Sequence, residues 1–199
     1  MPRDRDVAAF AERAEGYEEG WLGRLHHEIS DRTVNLALAA VPAPHRVLDV
    51  GSGTGYLLRQ LAARAPDAVE LVGVDAAAEM VRVAQGSAAD RRIRFQAGTA
   101  EHLPGADGAF DLVVSTTSFD HWADQEAGLR ECARVLAPGG HLVLADQFSP
   151  LCLPTLVGSR RGKARTRRRA SRLLARAGFQ SLEWHVLYAV IIGAVTASK

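Results

Sequence analysis

The sequence predicts an α/β fold built on a mostly parallel sheet, and three observations carry that reading. Short apolar runs alternate with longer helical stretches from Arg46 onward. A glycine-rich turn, Asp49-Val50-Gly51-Ser52-Gly53-Thr54-Gly55, ends the first run and opens the first of these helices. The last two apolar runs, LEWHVLYAV and IIGAVTASK, are separated by almost nothing. Alternation of this kind is the pattern of strands joined by right-handed crossovers. Two strands with so short a link must instead pair antiparallel.

Ahead of the sheet, Val7 to about Ala40 carries apolar and aromatic residues at helical spacing, among them Phe10, Tyr17, Trp21, Leu25, Ile29, Leu36 and Leu38. Gly16, Gly20 and Gly23 are expected to divide it into two helices. Ser30 or Asp31 is the predicted cap of the second, and Pro42 and Pro44 end it. Residues 1–45 therefore read as a helical cap on a core of 46–199, together one compact domain. In the core, RVLDV leads to YLLRQLAARA, ELVGVD to AEMVRVAQG, then RIRFQAG stands alone. DLVVST leads to ADQEAGLRECARVLA, and HLVLAD to a long basic helix; with the terminal hairpin this makes seven strands. The runs are apolar on both faces, so helices should cover both, giving three layers. Pro138-Gly139-Gly140 reads only as a turn, and Gln147 to Ser159 as a loop crossing the site.

The chain of 199 residues, 47% hydrophobic, is long enough to bury a real core. Its 24 basic and 23 acidic residues offer no general attraction to nucleic acid. The basic run Arg160 to Arg176 is the exception. It has no interleaved aromatics and reads as a solvated face, with binding of RNA phosphates or an anionic substrate group as the alternative. Cys132 and Cys152 lack the spacing of a disulfide framework, a zinc site or a redox pair, which predicts no metal and a reducing cytoplasm. No apolar leader and no run of about 18 apolar residues indicates export or membrane spanning. Exposed end strands leave room for a homodimer.

The glycine turn sits where a strand meets a helix, the context that a nucleotide-binding turn requires. Glycines there permit close backbone approach, and the helix start supplies free amides. About 20 positions on, at the next strand end, Asp75 is placed to accept ribose hydroxyls. The spacing Gly51, Gly53, Gly55 departs from G-x-G-x-x-G, and Asp49 beside the turn would repel a pyrophosphate while attracting the ammonium of a methionyl group.

With these residues in place, the chain resembles a class I S-adenosylmethionine-dependent methyltransferase of the small-molecule type. The resemblance runs from Arg46 to Gln147 and implies a Rossmann-like fold. Asp49 to Gly55 matches the acidic glycine motif, with Asp49, Gly51, Ser52, Gly53 and Gly55 as cofactor residues. Asp75 matches the ribose-binding acid, followed by Ala76, and Met80 is placed near adenine. Gly98 to Pro104 resembles the adenine-side segment, with Thr99, Ala100 and Glu101 as cofactor residues, although many relatives carry Asp where this chain has Thr99. Ser115 ends the matching fourth strand. Tyr17 and Trp21, four apart on one helical face, match a cap that closes over the cofactor, with packing remote from it as the other account.

The acceptor is expected beyond the carboxyl ends of the strands, at Ser115-Thr116-Thr117-Ser118-Phe119-Asp120-His121-Trp122. His121 is the leading candidate base, oriented by Asp120, with Trp122 or Phe119 as an apolar wall; packing against the next helix is the competing reading. His26 and His27 are further candidates that an exposed helix face also explains. Asp146 either touches substrate or caps the segment after it. The stretch after the fourth strand lacks the Asn-Pro-Pro-Tyr signature of many enzymes that methylate amino groups of nucleic acid and protein. A small-molecule acceptor, with O-methylation slightly preferred, is the leading function. The alternatives are an RNA or protein methyltransferase using the Arg160 to Arg176 segment, and a non-catalytic cofactor-binding or partner subunit.

Overall fold

A computed structural model describes residues 2–148, 166–189 and 191–199. Most of the expected crossing loop, Arg160 to Arg165 of the basic run, and Cys152 lie outside the described residues.

Two helices, α1 (Pro2–Arg13) and α2 (Gly20–Ala40), precede the sheet. The break between them falls at residues 14–19, so Gly20 opens α2 and Gly23 lies inside it. Ser30 and Asp31 are mid-helix and cap nothing; the N-cap is Glu19. Tertiary packing decides this, because Leu25 and Ile29 on the first half of α2 pack against the sheet and hold that half helical.

The core then runs β1 (Arg46–Val50), α3 (Tyr56–Arg64), β2 (Glu70–Asp75), α4 (Ala78–Ser87), β3 (Ile93–Ala97) and β4 (Phe110–Thr116). A 3₁₀ turn (Phe119–His121) and α5 (Gln125–Val135) lead to β5 (Leu136–Gln147). α6 (Arg167–Arg176), β6 (Gln180–Tyr188) and β7 (Ile192–Ser198) complete the described elements. The sheet has seven strands in the order β3-β2-β1-β4-β5-β7-β6. All pairs from β3 to β5 are parallel; β7 is antiparallel to both β5 and β6.

The strands bury both faces, as their near-continuous apolar runs require. Leu48, Val50, Val113, Leu142 and Leu144 meet Leu129 and Cys132 of α5 and Leu174 of α6. Val47, Leu71, Val114 and Val143 meet Val34 and Ala37 of α2 and Leu57, Leu58 and Leu61 of α3. Pro138-Gly139-Gly140 is a bulge within β5 rather than a turn ahead of it. Leu136 pairs with Phe110 and His141 with Leu112, so the chain between them loops out, with Gly139 at φ 77.

The strand order reverses between β1 and β4, because the chain moves outward to β3 and then returns to pair β4 with β1. Loops after β1 and β4 therefore splay apart at the carboxyl edge, the place where this topology opens a cleft.

Candidate functional site

A cavity of about 540 Å³ occupies that cleft. It is lined by Gly51 and Gly53 from the glycine turn, Asp75 and Ala76 after β2, Met80 on α4, Thr99 to Glu101 after β3, and Thr116 to Ser118, His121 and Trp122 after β4. Phe10 and Tyr17 close it from the cap side. A smaller recess next to it is bounded by Asp49, Ser52, Thr54, His26 and Thr116.

The turn's conformation follows from its glycines. Gly53 has φ 53 and a Cβ there would meet nothing, so the cavity surface at this point is bare backbone. Its N–H donates to Asp75 Oδ2 at 2.8 Å, and Ala77 N–H donates to Oδ1 at 2.8 Å, which orients the carboxylate at the cavity wall. Gly55 does something else. A Cβ on it would lie 2.3 Å from Phe95 Cζ, so this glycine seats the turn on the sheet and does not line the cavity.

Asp49 is 2% exposed, and burial with the nearby Asp75 charge pushes its carboxyl up to about 8. Burial also raises Asp75, opposed by the backbone N–H groups of Ala77, Gly53 and Ala76. Two buried hydroxyls next to this pair, Ser52 Oγ and Thr116 Oγ1, have no hydrogen-bond partner among the described residues. A buried acid with a raised pKa, beside two unsatisfied hydroxyls, fits a small cationic and polar group. The residues present thus suit the amino-acid end of S-adenosylmethionine, and Asp75, Met80 and Thr99 to Glu101 line the larger cavity beside them.

Beyond β4, Ser118 ties the two splayed loops together. Its Oγ donates to the Val50 carbonyl at 2.8 Å, lies 2.8 Å from Ser115 Oγ, and accepts from Trp122 Nε1 at 3.3 Å. Gly51 must lack a side chain here, since a Cβ would stand 2.3 Å from Ser118 Cβ. Ser115 is fully buried by this contact and does not reach the cavity. His121 does reach it, with Nε2 3.2 Å from Asp120 Oδ1. Asp146 is buried, and its Oδ2 accepts from Asp120 N–H at 3.2 Å, which fixes the turn bearing His121. Trp122 forms part of the wall, whereas Phe119 is wholly in the core.

On the cap, His26 packs beside Tyr17, Tyr17 beside Phe10, and Phe10 edge-on to His121, with successive ring centroids 5.1, 6.3 and 5.0 Å apart. Burial raises the Tyr17 hydroxyl to about 12 and lowers His26, with the charges of Arg13 and His27 adding to the latter. Trp21, in contrast, is 70% exposed and stands away from the cavity. Helical spacing groups Trp21 with Tyr17, but Tyr17 lies in the break before α2, where that spacing does not hold. Cys132 is buried in α5, and burial raises its thiol far above the ordinary range.

Fold and site together define a class: a doubly wound α/β domain with a nucleoside-sized cleft over a buried acid. Comparison with known proteins gives the family. The family model described as Methyltransferase domain matches residues 48–144. Malonyl-[acyl-carrier protein] O-methyltransferase of Geobacter sulfurreducens is 36% identical over 190 residues, covering 88% of this chain and 70% of that protein. Demethylmenaquinone methyltransferase of Thermus thermophilus is 46% identical over 121 residues, 60% of this chain and 53% of its own. A SAM-dependent methyltransferase from Aquifex aeolicus superposes with a TM-score of 0.78 over 94% of this chain and 97% of its own at 18% identity, a likeness of fold. The chain spans about half the length of several of the curated relatives it matches. It belongs to the class I S-adenosylmethionine-dependent methyltransferases.

Proposed function

We propose that this chain transfers a methyl group from S-adenosylmethionine to a small molecule that loses a proton in the reaction, with a hydroxyl or acid oxygen as the preferred acceptor. The observation that carries the reading is the pairing of a bare-backbone turn and Asp75 in the main cavity with the buried Asp49 in the recess beside it. Relatives named for demethylmenaquinone and for malonyl-[acyl-carrier protein] support an acceptor outside nucleic acid.

The cofactor supplies a methyl group already activated on a sulfonium, so the protein's work is to align and to exclude water. Asp75 would take the ribose hydroxyls, while Gly51 and Gly53 let the backbone approach. Asp49 would ionise against the ammonium, and the Ser52 and Thr116 hydroxyls would take up polar atoms of the same end. Met80 and Ala100 would flank the adenine, and Thr99 would accept from its amino group. Phe10, Tyr17 and Trp122 keep water out. His121, held by Asp120, takes the acceptor's proton; His26 is the secondary candidate, kept neutral by its burial.

The test is a screen of hydroxylated, carboxylated and quinol-type metabolites for acceptor-dependent formation of S-adenosylhomocysteine. Turnover with one such compound supports the reading. Turnover confined to RNA, with salt-dependent RNA binding lost when Arg167, Arg168 and Arg169 are replaced, would overturn it.

A further inference from the structure

We infer that Glu18 is a positioning residue that latches the cap onto the glycine turn and thereby sets how long the cofactor stays in the cleft, which rests on S-adenosylmethionine being the cleft's occupant.

Glu18 lies in the break between α1 and α2, directly after the cavity residue Tyr17. Three donors from elsewhere in the fold converge on its carboxylate. Thr54 Oγ1, in the glycine turn, donates to Oε1 at 2.6 Å. Arg59 Nη2, on α3, donates to the same oxygen at 2.7 Å, while Arg59 Nη1 donates to the Thr54 carbonyl at 2.6 Å. His27 Nε2, on α2, lies 3.2 Å from Oε2. Burial opposes ionisation of Glu18, but the bonds from Thr54 and Arg59 outweigh it and hold the carboxyl below its ordinary value.

A steric observation fixes the same segment independently. A Cβ at Gly23 would stand 2.2 Å from both the carbonyl carbon and oxygen of Glu18, so the linker is seated directly on α2 where only glycine leaves room. The linker is thus clasped between α2 and the glycine turn. Thr54 comes directly after Gly53, whose N–H is held by Asp75. One connected path therefore runs from Tyr17 on the cap, through Glu18 and Thr54, to the carboxylate that faces the ribose. Displacing Glu18 moves the cap wall and the turn together.

The contacts are partly exposed, with Glu18 and Arg59 side chains at 32% and 23%, so each alone contributes little. Their convergence on one carboxylate is what gives them leverage. Replacing Glu18 by Ala removes all three contacts and should accelerate cofactor dissociation about tenfold, the low end expected for a hydrogen bond to a charged group; Thr54→Val removes one of them and should accelerate it by less. Because the contact broken by Thr54→Val is among those broken by Glu18→Ala, the double variant should dissociate no more than about twofold faster than Glu18→Ala.

Two measurements on the intact protein test this. Amide hydrogen exchange over residues 14–24, without cofactor, should be faster in Glu18→Ala and in Thr54→Val than in wild type. Stopped-flow displacement of S-adenosylmethionine should show the faster dissociation in both variants. Unchanged exchange in both variants overturns the latch. Faster exchange with an unchanged dissociation rate overturns its control of residence. A wild-type protein that takes up no cofactor overturns the cofactor reading itself, and the exchange arm, read without cofactor, distinguishes that failure from failure of the latch.

Discussion

Replacing Asp49 by Asn probes the most unusual group in the cleft. In the protein without cofactor the carboxyl titrates at about 8, raised by burial and by Asp75. An ammonium bound against it requires the ionised form, so below pH 8 binding must first expel a proton. Affinity for S-adenosylmethionine should then fall by up to about tenfold per pH unit; with half the carboxyls already ionised at pH 8, the loss between pH 8 and pH 6 is about fifty-fold. The amide of Asp49→Asn has no such proton to lose, so its acid limb should vanish. The variant's affinity at pH 8 should be lower by about 1.5 to 3 kcal/mol, the loss of a charge-assisted hydrogen bond. Stability runs the other way. The folded state holds the Asp49 proton up to about 8, whereas an unfolded Asp releases it near 4. Between these values folding carries the extra proton, so the protein without cofactor loses stability as pH rises, by on the order of 1 kcal/mol for each pH unit. Thermal melts of wild type and Asp49→Asn should therefore diverge from pH 5 to pH 8, with the variant the more stable at pH 8. Calorimetric titrations at pH 6 and 8 measure the affinities. A wild-type affinity flat across that interval, or melts that stay parallel, would show that Asp49 does not hold its proton in the folded protein.

His121→Ala should lower turnover by about 10²-fold or more while leaving cofactor affinity within twofold, and Asp120→Asn should fall between it and wild type; a His121→Ala enzyme with full turnover across pH makes His121 a packing residue. Tyr17→Ala should weaken cofactor binding about tenfold by opening the cap side, whereas Trp21→Ala, at a solvent-exposed position, should stay within twofold, both read by calorimetry. Gly55→Ala combines φ 82 with a Cβ 2.3 Å from the Phe95 ring and should destabilise the fold by about 2 kcal/mol or more. Gly55→Ala/Phe95→Leu should recover part of that loss in denaturant unfolding, and no recovery would argue against the steric account.

Fold and site were legible in the sequence to the extent that their signals were local. The strands read correctly because runs such as RVLDV and HLVLAD must be apolar on both faces to be sandwiched between helices. The hairpin read correctly because the link between β6 and β7 is too short to cross over. Asp49, Gly53 and Asp75 were readable because their placement follows from spacing along one strand-turn-helix unit. Gly55 was readable as part of the motif but not as a packing glycine, since Phe95 comes from another strand forty residues on. Ser115 was placed at the right strand end, but the alternation of β4 turns it into the core, where Ser118 takes its hydroxyl. Glu18 was invisible for a related reason. Its partners Thr54 and Arg59 lie 36 and 41 residues away, and nothing in GYEEGWLG marks one of two adjacent glutamates as a hub. The start of α2 was misplaced because Ser30 and Asp31 suit a cap, yet the packing of Leu25 and Ile29 on the sheet carries the helix past them.

The cleft's assignment to S-adenosylmethionine rests above all on Asp75, whose carboxylate is aimed by Gly53 and Ala77 at the cavity wall. Isothermal titration of S-adenosylmethionine into wild-type protein and Asp75→Ala at pH 8 measures that assignment directly. The expected result is one site per chain in wild type and an affinity at least about tenfold weaker in the variant, from loss of the charge-assisted bonds to the ribose. Identical flat traces from the two proteins would contradict it.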